Sequence, residues 1–185
     1  MRQMLPPYGK FPLYPKDQHF EYKQHVGIRE MEYRFATVDD VPILSKMNRQ
    51  LVEDEQHRNR FKSDAWFEER MRGFLTGGYK AVLFEIEGDV VAYALYTDHP
   101  DHSDTIYLRQ IFVVRSRRRQ GIGRKAMQIL NEEILPQDKR LTVEVLVGNE
   151  VAKAYYKAVG FREYSLELEI SALERNTQQN DKEIC

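Results

Sequence analysis

RSRRRQGIGRKAM, Arg115 to Met127, decides how this chain is read. It crowds five arginines and one lysine around two glycines, directly after the apolar run TIYLRQIFVV, Thr105 to Val114. A nucleic-acid patch, a solvated helix face and a phosphate-holding loop all suit such a stretch. The apolar run reads as a strand. The residues from Ile122 on, with Met127, Leu130 and Ile134 on one side, read as a helix that Pro136 ends. The stretch is therefore a strand-to-helix junction. Several backbone N–H groups lack partners there, and the helix adds its positive end. A phosphate fits such a place, and Gly121 and Gly123 let the main chain come close because no Cβ intervenes. Arg117, Arg118, Arg119 and Arg124 add favourable charge, so the implied ligand is an anion with more than one phosphate.

Bulk properties narrow the choice. The 185 residues are enough for one domain with a sizeable core, at 42% hydrophobic and 31% charged. The formal net charge is −1, so any basic function is local and a nucleic-acid partner is not expected. The single cysteine, Cys185, is the last residue. That leaves no disulfide within the chain and no cysteine-based metal cluster, and it suits a reducing, cytoplasmic compartment. No secretory signal is expected at the N-terminus. No stretch approaches the roughly 18 apolar residues of a membrane span, so no membrane partner is expected.

Outward from the junction, the pattern predicts a mixed α/β single domain in the order β-α-α-β-β-β-α-β-α-β. Residues 1–30 begin MRQMLPPYGKFPLYP, with four prolines and no clean period, and read as an extended arm. The folded domain is expected over 31–171, followed by a polar tail over 172–185. EYRFAT, Glu32 to Thr37, alternates as a strand. Asp39 and Asp40 are helix caps and Pro42 fits a first turn; Ile43, Leu44, Met47, Leu51 and Val52 give the apolar stripe. Ser63 caps a second helix carrying Phe67, Met71, Phe74 and Leu75, stopped at Thr76-Gly77-Gly78. YKAVLFEIE and VVAYALYT form a hairpin at Gly88-Asp89. After the glycine loop come the strand RLTVEVLV, a helix opened by Asn149 and Glu150 and closed at Gly160, and a last strand, FREYSLELEI. The strand–helix–strand stretch near the end implies parallel neighbours.

Among phosphate loops, a Walker loop needs Lys-Ser/Thr after its second glycine, whereas Gly123 is followed by Arg124-Lys125. A dinucleotide fingerprint needs three glycines. What matches is Arg/Gln-x-x-Gly-x-Gly/Ala, satisfied by Arg118, Gly121 and Gly123. One strand later, Asn149, Ala152, Tyr156, Gly160 and Phe161 spell N-x-x-A-x-x-x-Y-x-x-x-G-F. Together with the element order from Glu32 to Ile170, about three quarters of the chain, these two linked motifs resemble the GNAT N-acetyltransferase superfamily.

The resemblance implies an acetyl-CoA-dependent N-acetyltransferase that moves an acetyl group to a primary amine of a small molecule or peptide. It implies that pantetheine enters a gap beside the strand before the loop and pairs with the main chain at Ile111 and Val113. The Ile111 N–H would then stabilise the developing oxyanion, a contribution of roughly 3 kcal/mol. Arg118, Arg119, Gln120, Gly121, Gly123 and Arg124 match the pyrophosphate loop. Asn149 matches a pantetheine contact, and is equally suited to cap the next helix. Tyr156 matches the general acid that protonates the leaving thiolate; the alternative is a half-buried aromatic. Tyr155 reads as packing.

Some family members carry a glutamate base at the position of Tyr107. This chain has no carboxylate there, so the base must come from elsewhere, and a non-catalytic acyl-CoA-binding module is the alternative reading. LVEDEQHRNRF, Leu51 to Phe61, borders the acceptor site in the family. Asp54, Glu55 and His57 are its candidates to bind or deprotonate a cationic amine, against a solvated helix end. Acidic residues there oppose the helix dipole. Arg109, inside a central strand, either binds an acidic acceptor group or pairs with a carboxylate of the fold. The run DHPDHSD reads as a loop, not a metal site. A homodimer through the last strand or the arm is open.

Overall fold

The structure, a computed structural model, describes residues 30–170. Residues 1–29 of the expected arm and the tail over 172–185 lie outside them. The elements run β1 Glu32–Phe35, α1 Val41–Asp54, α2 Asp64–Thr76, β2 Lys80–Ile86, β3 Asp89–His99, β4 His102–Val113, α3 Ile122–Ile129, β5 Arg140–Val143 and α4 Glu150–Ala158. The five strands form one sheet in that order. β1 to β4 pair antiparallel and β4 pairs β5 parallel, as a crossover through α3 demands.

Side chains alternate across β2 and β3, and both faces are covered. Val82, Phe84, Ala92 and Ala94 pack with Met127 and Leu130. Leu83, Tyr93 and Leu95 pack with Leu44, Met47 and Met71. Burial on both faces explains why these strands read as nearly continuous apolar runs. The β2–β3 turn is Glu87-Gly88, one residue earlier than the sequence suggests. Both have positive φ, 54° and 80°, the conformation a tight hairpin needs. Thr37 and Asp40 form a capping box before α1, and Arg34 joins Asp40 to Glu85 at 2.8 Å each.

Two expectations for the last third are corrected. β5 ends at Val143, not Val147, because β4 offers it pairing positions only from Thr105 to Leu108. FREYSLELEI forms no strand: the sheet ends at β5, and an extended segment without a ladder partner is not a strand. Its alternating Tyr164, Leu166, Leu168 and Ile170 are exposed.

Candidate functional site

Beyond Leu108 the two parallel strands part. β4 continues to Val113 paired to β3 alone. The Val114 N–H donates to the Val91 carbonyl of β3 at 3.0 Å. Backbone groups alternate along a strand, so the N–H groups of Ile111 and Val113 face away from β3, into the gap that β5 has left. The family resemblance implies a cofactor's main-chain partners at these two positions, and the structure leaves them on an open edge. The Val113 carbonyl takes the Arg118 Nε at 3.0 Å.

The gap leads to the glycine loop. Arg119 and Gly121 hold φ of 62° and 80°, and Gly121 is the N-cap of α3; only glycine adopts that region without strain. The first N–H bonded inside the turn is that of Lys125, to the Gly121 carbonyl at 3.0 Å. Those of Ile122, Gly123 and Arg124 therefore point out of the helix end. Gly123 has a different reason to be glycine. A Cβ there would meet the Tyr155 Cε2 at 3.3 Å and the Val113 Cγ2 at 3.5 Å. The Tyr155 hydroxyl donates to the Gly123 carbonyl at 2.8 Å, so Tyr155 buttresses the loop as well as packing.

Most of the conspicuous arginines are spoken for. Arg115 donates to Asp54 and to Glu53, both at 2.9 Å. Arg118 pairs with the other Asp54 oxygen and lies 5.0 Å over the Phe112 ring. Arg117 reaches Asp89 at 3.4 Å. Arg119 and Arg124 are exposed. The Asp54 carboxylate thus ties the end of α1 to the loop. Burial works to raise its pKa, but the hydrogen bonds from Arg115 and Arg118 outweigh that and hold it below the ordinary value.

The other acceptor candidates converge. Glu55 caps the C-terminus of α1. Burial, then the neighbouring Asp54 charge, push its pKa up, while Arg109 and Arg70 pull it down. His57 accepts the Asn59 N–H through Nδ1 at 3.1 Å, so the proton of its neutral ring sits on Nε2. Burial and the charge of Arg70 lower its pKa. His57 is therefore a donor at this edge and a poor base. Tyr107 donates to Glu144 Oε2 at 2.8 Å and accepts from Arg109 at 2.8 Å; burial lifts its phenol to about 12. Tyr156 packs edge-on to Phe161 at 5.3 Å. Burial raises its pKa, and Tyr155, Glu55 and Tyr107 push the same way. It holds its proton throughout the neutral range. Asn149 caps α4, its Oδ1 accepting from the Ala152 N–H at 3.0 Å.

Tyr155 packs as expected and also holds the loop, whereas Glu144 and Arg70 belong to no motif. Glu144 follows the apolar run of β5, and Arg70 falls in the helical row Phe67, Arg70, Met71, Phe74. A charge inside an apolar row was the available signal for both. The run DHPDHSD is not the expected loop: β3 runs through His99 and β4 starts at His102, so only Pro100 and Asp101 turn, with Asp98 paired to Lys139 at 2.6 Å and His99 Nδ1 accepting the Asp101 N–H at 3.1 Å. Among the described residues no cluster of three or more His, Cys, Asp and Glu could hold a metal, and no helix is long and apolar enough to cross a membrane. A shallow depression at Leu135, Pro136, Gln137 and Arg140 lies at the far end of the α3 segment and contains none of these groups.

Comparison with known proteins places this geometry. The model of the acetyltransferase (GNAT) family matches residues 43–161. No curated protein sequence matches the chain. A possible acetyltransferase from Clostridium difficile 630 superposes with TM-score 0.62 at 18% identity, over 76% of this chain and 96% of that one. An aminoglycoside N-acetyltransferase in complex with CoA superposes with TM-score 0.61 at 15% identity, over 77% and 94%. A predicted acetyltransferase with acetyl-CoA from Clostridium acetobutylicum gives 0.59 at 18% identity, over 78% and 98%. At such identities the likeness is one of fold.

Proposed function

The chain belongs to the GNAT acetyltransferase family, and from that premise we propose that it moves an acetyl group from acetyl-CoA to a primary amine, by direct attack with both reactants bound. The observation that carries this reading is the continuous edge running from the free N–H groups of Ile111 and Val113 to the N-terminus of α3. The residues fit the cofactor. An open strand edge suits the amides of pantetheine. A helix start with outward N–H groups, a left-handed Gly121 and the exposed Arg119 and Arg124 suits a pyrophosphate. The structures of similar fold include ones holding CoA or acetyl-CoA.

In this reading Gln120, Gly121, Gly123 and Arg124 bind through the backbone, and Arg118 and Tyr155 hold the loop in shape. Asn149 uses Oδ1 as a cap and keeps its Nδ2 donors for pantetheine. Bound acetyl-CoA supplies the activated acetyl thioester. The Ile111 N–H stabilises charge on the thioester oxygen. Glu55 accepts the proton that the acceptor ammonium must lose, its raised pKa suiting it to that work. Tyr156 gives its proton to the departing sulfur. Glu144, hydrogen-bonded to Tyr107, brings a carboxylate beside the strand position where this chain lacks one. The lone terminal cysteine suits a cytoplasmic setting.

Calorimetry with acetyl-CoA, followed by acetyl transfer to an amine panel, tests the proposal. Aminoglycosides belong in that panel because similar structures are aminoglycoside acetyltransferases. Absence of acetyl-CoA binding at millimolar cofactor overturns it.

A further inference from the structure

β4 carries one residue more than its neighbour can match. Leu95 pairs with Gln110 and Tyr96 with Leu108, so Arg109 opposes no residue of β3. A bulge of this kind disrupts the ladder locally and bends the strand. It falls where support on the other side also ends, because β5 pairs β4 only from Thr105 to Leu108. Past the bulge, β4 hangs on β3 alone. Ile111 lies two residues beyond it, so the direction of the Ile111 N–H depends on how firmly this stretch is held.

One buried side chain holds it from both sides. Tyr93, wholly buried on β3, is the register partner of Phe112, and the two rings lie 6.1 Å apart. Its hydroxyl reaches diagonally across to β4 and donates to Gln110 Oε1 at 3.0 Å. Diagonal neighbours on a sheet face lie within reach of an aromatic side chain. The residues before and after Ile111 are thus both fastened to Tyr93. From α1, Asn48 Nδ2 donates to the same hydroxyl at 3.3 Å. Burial raises the Tyr93 phenol above its ordinary value, so it keeps the proton it donates.

These polar groups lie in an otherwise apolar layer, where Tyr93 packs with Leu44, Met47 and Leu95. Asn48 Oδ1 is buried there with no hydrogen-bond partner among the described residues. An unmet amide oxygen is costly, and apolar side chains of the same shape can be as stable as a bonded polar set. Stability therefore does not explain the three polar groups. What they add is direction, since a hydrogen bond fixes its partners more narrowly than an apolar contact does.

We propose that Tyr93, Gln110 and Asn48 are positioning residues, a buried clamp that fixes β4 beyond its bulge and so aims the Ile111 N–H at the thioester oxygen. All three act through the backbone they hold. This rests on the acetyl-transfer reading above and adds to it the device that steadies the oxyanion donor.

The test uses the full chain. Tyr93→Phe keeps the ring on Phe112 and removes the hydroxyl; Gln110→Met keeps the bulk and removes the acceptor. On whichever amine the unmodified chain acetylates best, each should lower kcat roughly ten- to a hundredfold, with acceptor KM and acetyl-CoA affinity held within about twofold. Ile86→Val, a core truncation on the other face of the sheet, should lose stability and keep kcat, which separates positioning from loss of fold. A second readout needs no turnover. With nitrogen-15 isoleucine, the amide resonance lost in Ile111→Val should shift when acetyl-CoA is added to the unmodified chain. At saturating cofactor it should shift less in Tyr93→Phe and in Gln110→Met. Unchanged kcat in either variant that still binds acetyl-CoA overturns the proposal, as does an equal shift in variants and unmodified chain, or no shift at all. No turnover of any amine, with the shift present and reduced in the variants, overturns the transferase reading and leaves the clamp standing.

Discussion

The Tyr155 hydroxyl donates to the Gly123 carbonyl at 2.8 Å, and the same ring is what a methyl group on Gly123 would strike first, at 3.3 Å. The ring cannot recede without giving up its own hydrogen bond. Gly123→Ala should therefore cost about 1–3 kcal/mol as an overpacked contact and weaken acetyl-CoA binding, because α4 and the loop must separate. Tyr155→Phe should cost about 1 kcal/mol while leaving the loop glycines in place. Denaturant melts and calorimetry of the two variants check the ordering. Equal stability of Gly123→Ala and the unmodified chain would contradict it.

Tyr156→Phe removes a hydroxyl and keeps the ring that packs on Phe161. It should lower kcat by roughly 10²–10⁴, the usual weight of general acid catalysis, with little change in acetyl-CoA affinity. Because the phenol is raised above its ordinary 10.0, loss of activity below that pH on the alkaline side should not be traceable to Tyr156. Steady-state kinetics beside calorimetry separates the two quantities.

Glu55 predicts opposite changes in stability and activity. Its folded-state pKa lies above the ordinary 4.5, so the stability tied to its neutral form is present below that value and lost as pH rises through the folded pKa. Glu55→Gln should therefore melt at a higher temperature than the unmodified chain near neutrality. As the base, the ionised form is the active one. The kcat/KM of the unmodified chain should fall as pH drops through a value above 4.5, and that limb should vanish in Glu55→Gln together with most of the activity. A variant that is destabilised but fully active would remove Glu55 from the role.

Asp54 carries the reverse sign. The arginine hydrogen bonds hold its folded pKa below the ordinary 3.8, so its contribution is present above that value and lost as pH falls through the folded pKa. Asp54→Asn should cost on the order of 1 kcal/mol near neutrality, as befits a part-exposed pair, and progressively less in strong acid. The acceptor KM should move little, since the carboxylate faces Arg115 and Arg118. Urea melts across pH, with acceptor kinetics at one pH, check both statements.

How much of the site was legible depends on how local its causes are. Gly121 was legible because a strand, a tight turn and a helix follow within a few residues, and backbone sterics at that turn do not depend on the rest of the chain. Asn149 was legible for the same reason: its cap to Ala152 spans three residues. Arg70 was not, because in the row of Phe67 and Met71 it reads as one charge among packing residues, and its unpartnered Nε exists only in the folded chain. The length of β5 was not legible either, since a strand ends where its neighbour stops offering a partner.

The sequence by itself determined the element order through β5 and α4, the two motifs and the membership they imply, since these rest on short-range periodicity and spacing. Tertiary structure alone decided which charges are free. Asp54 and Arg118 lie 64 residues apart and neutralise each other, whereas Glu55, one residue on, is left half-buried beside two arginines. Consecutive residues at the end of a helix project in different directions, and Coulomb forces inside a folded domain depend on distance through space and on burial. Neither can be read along the chain.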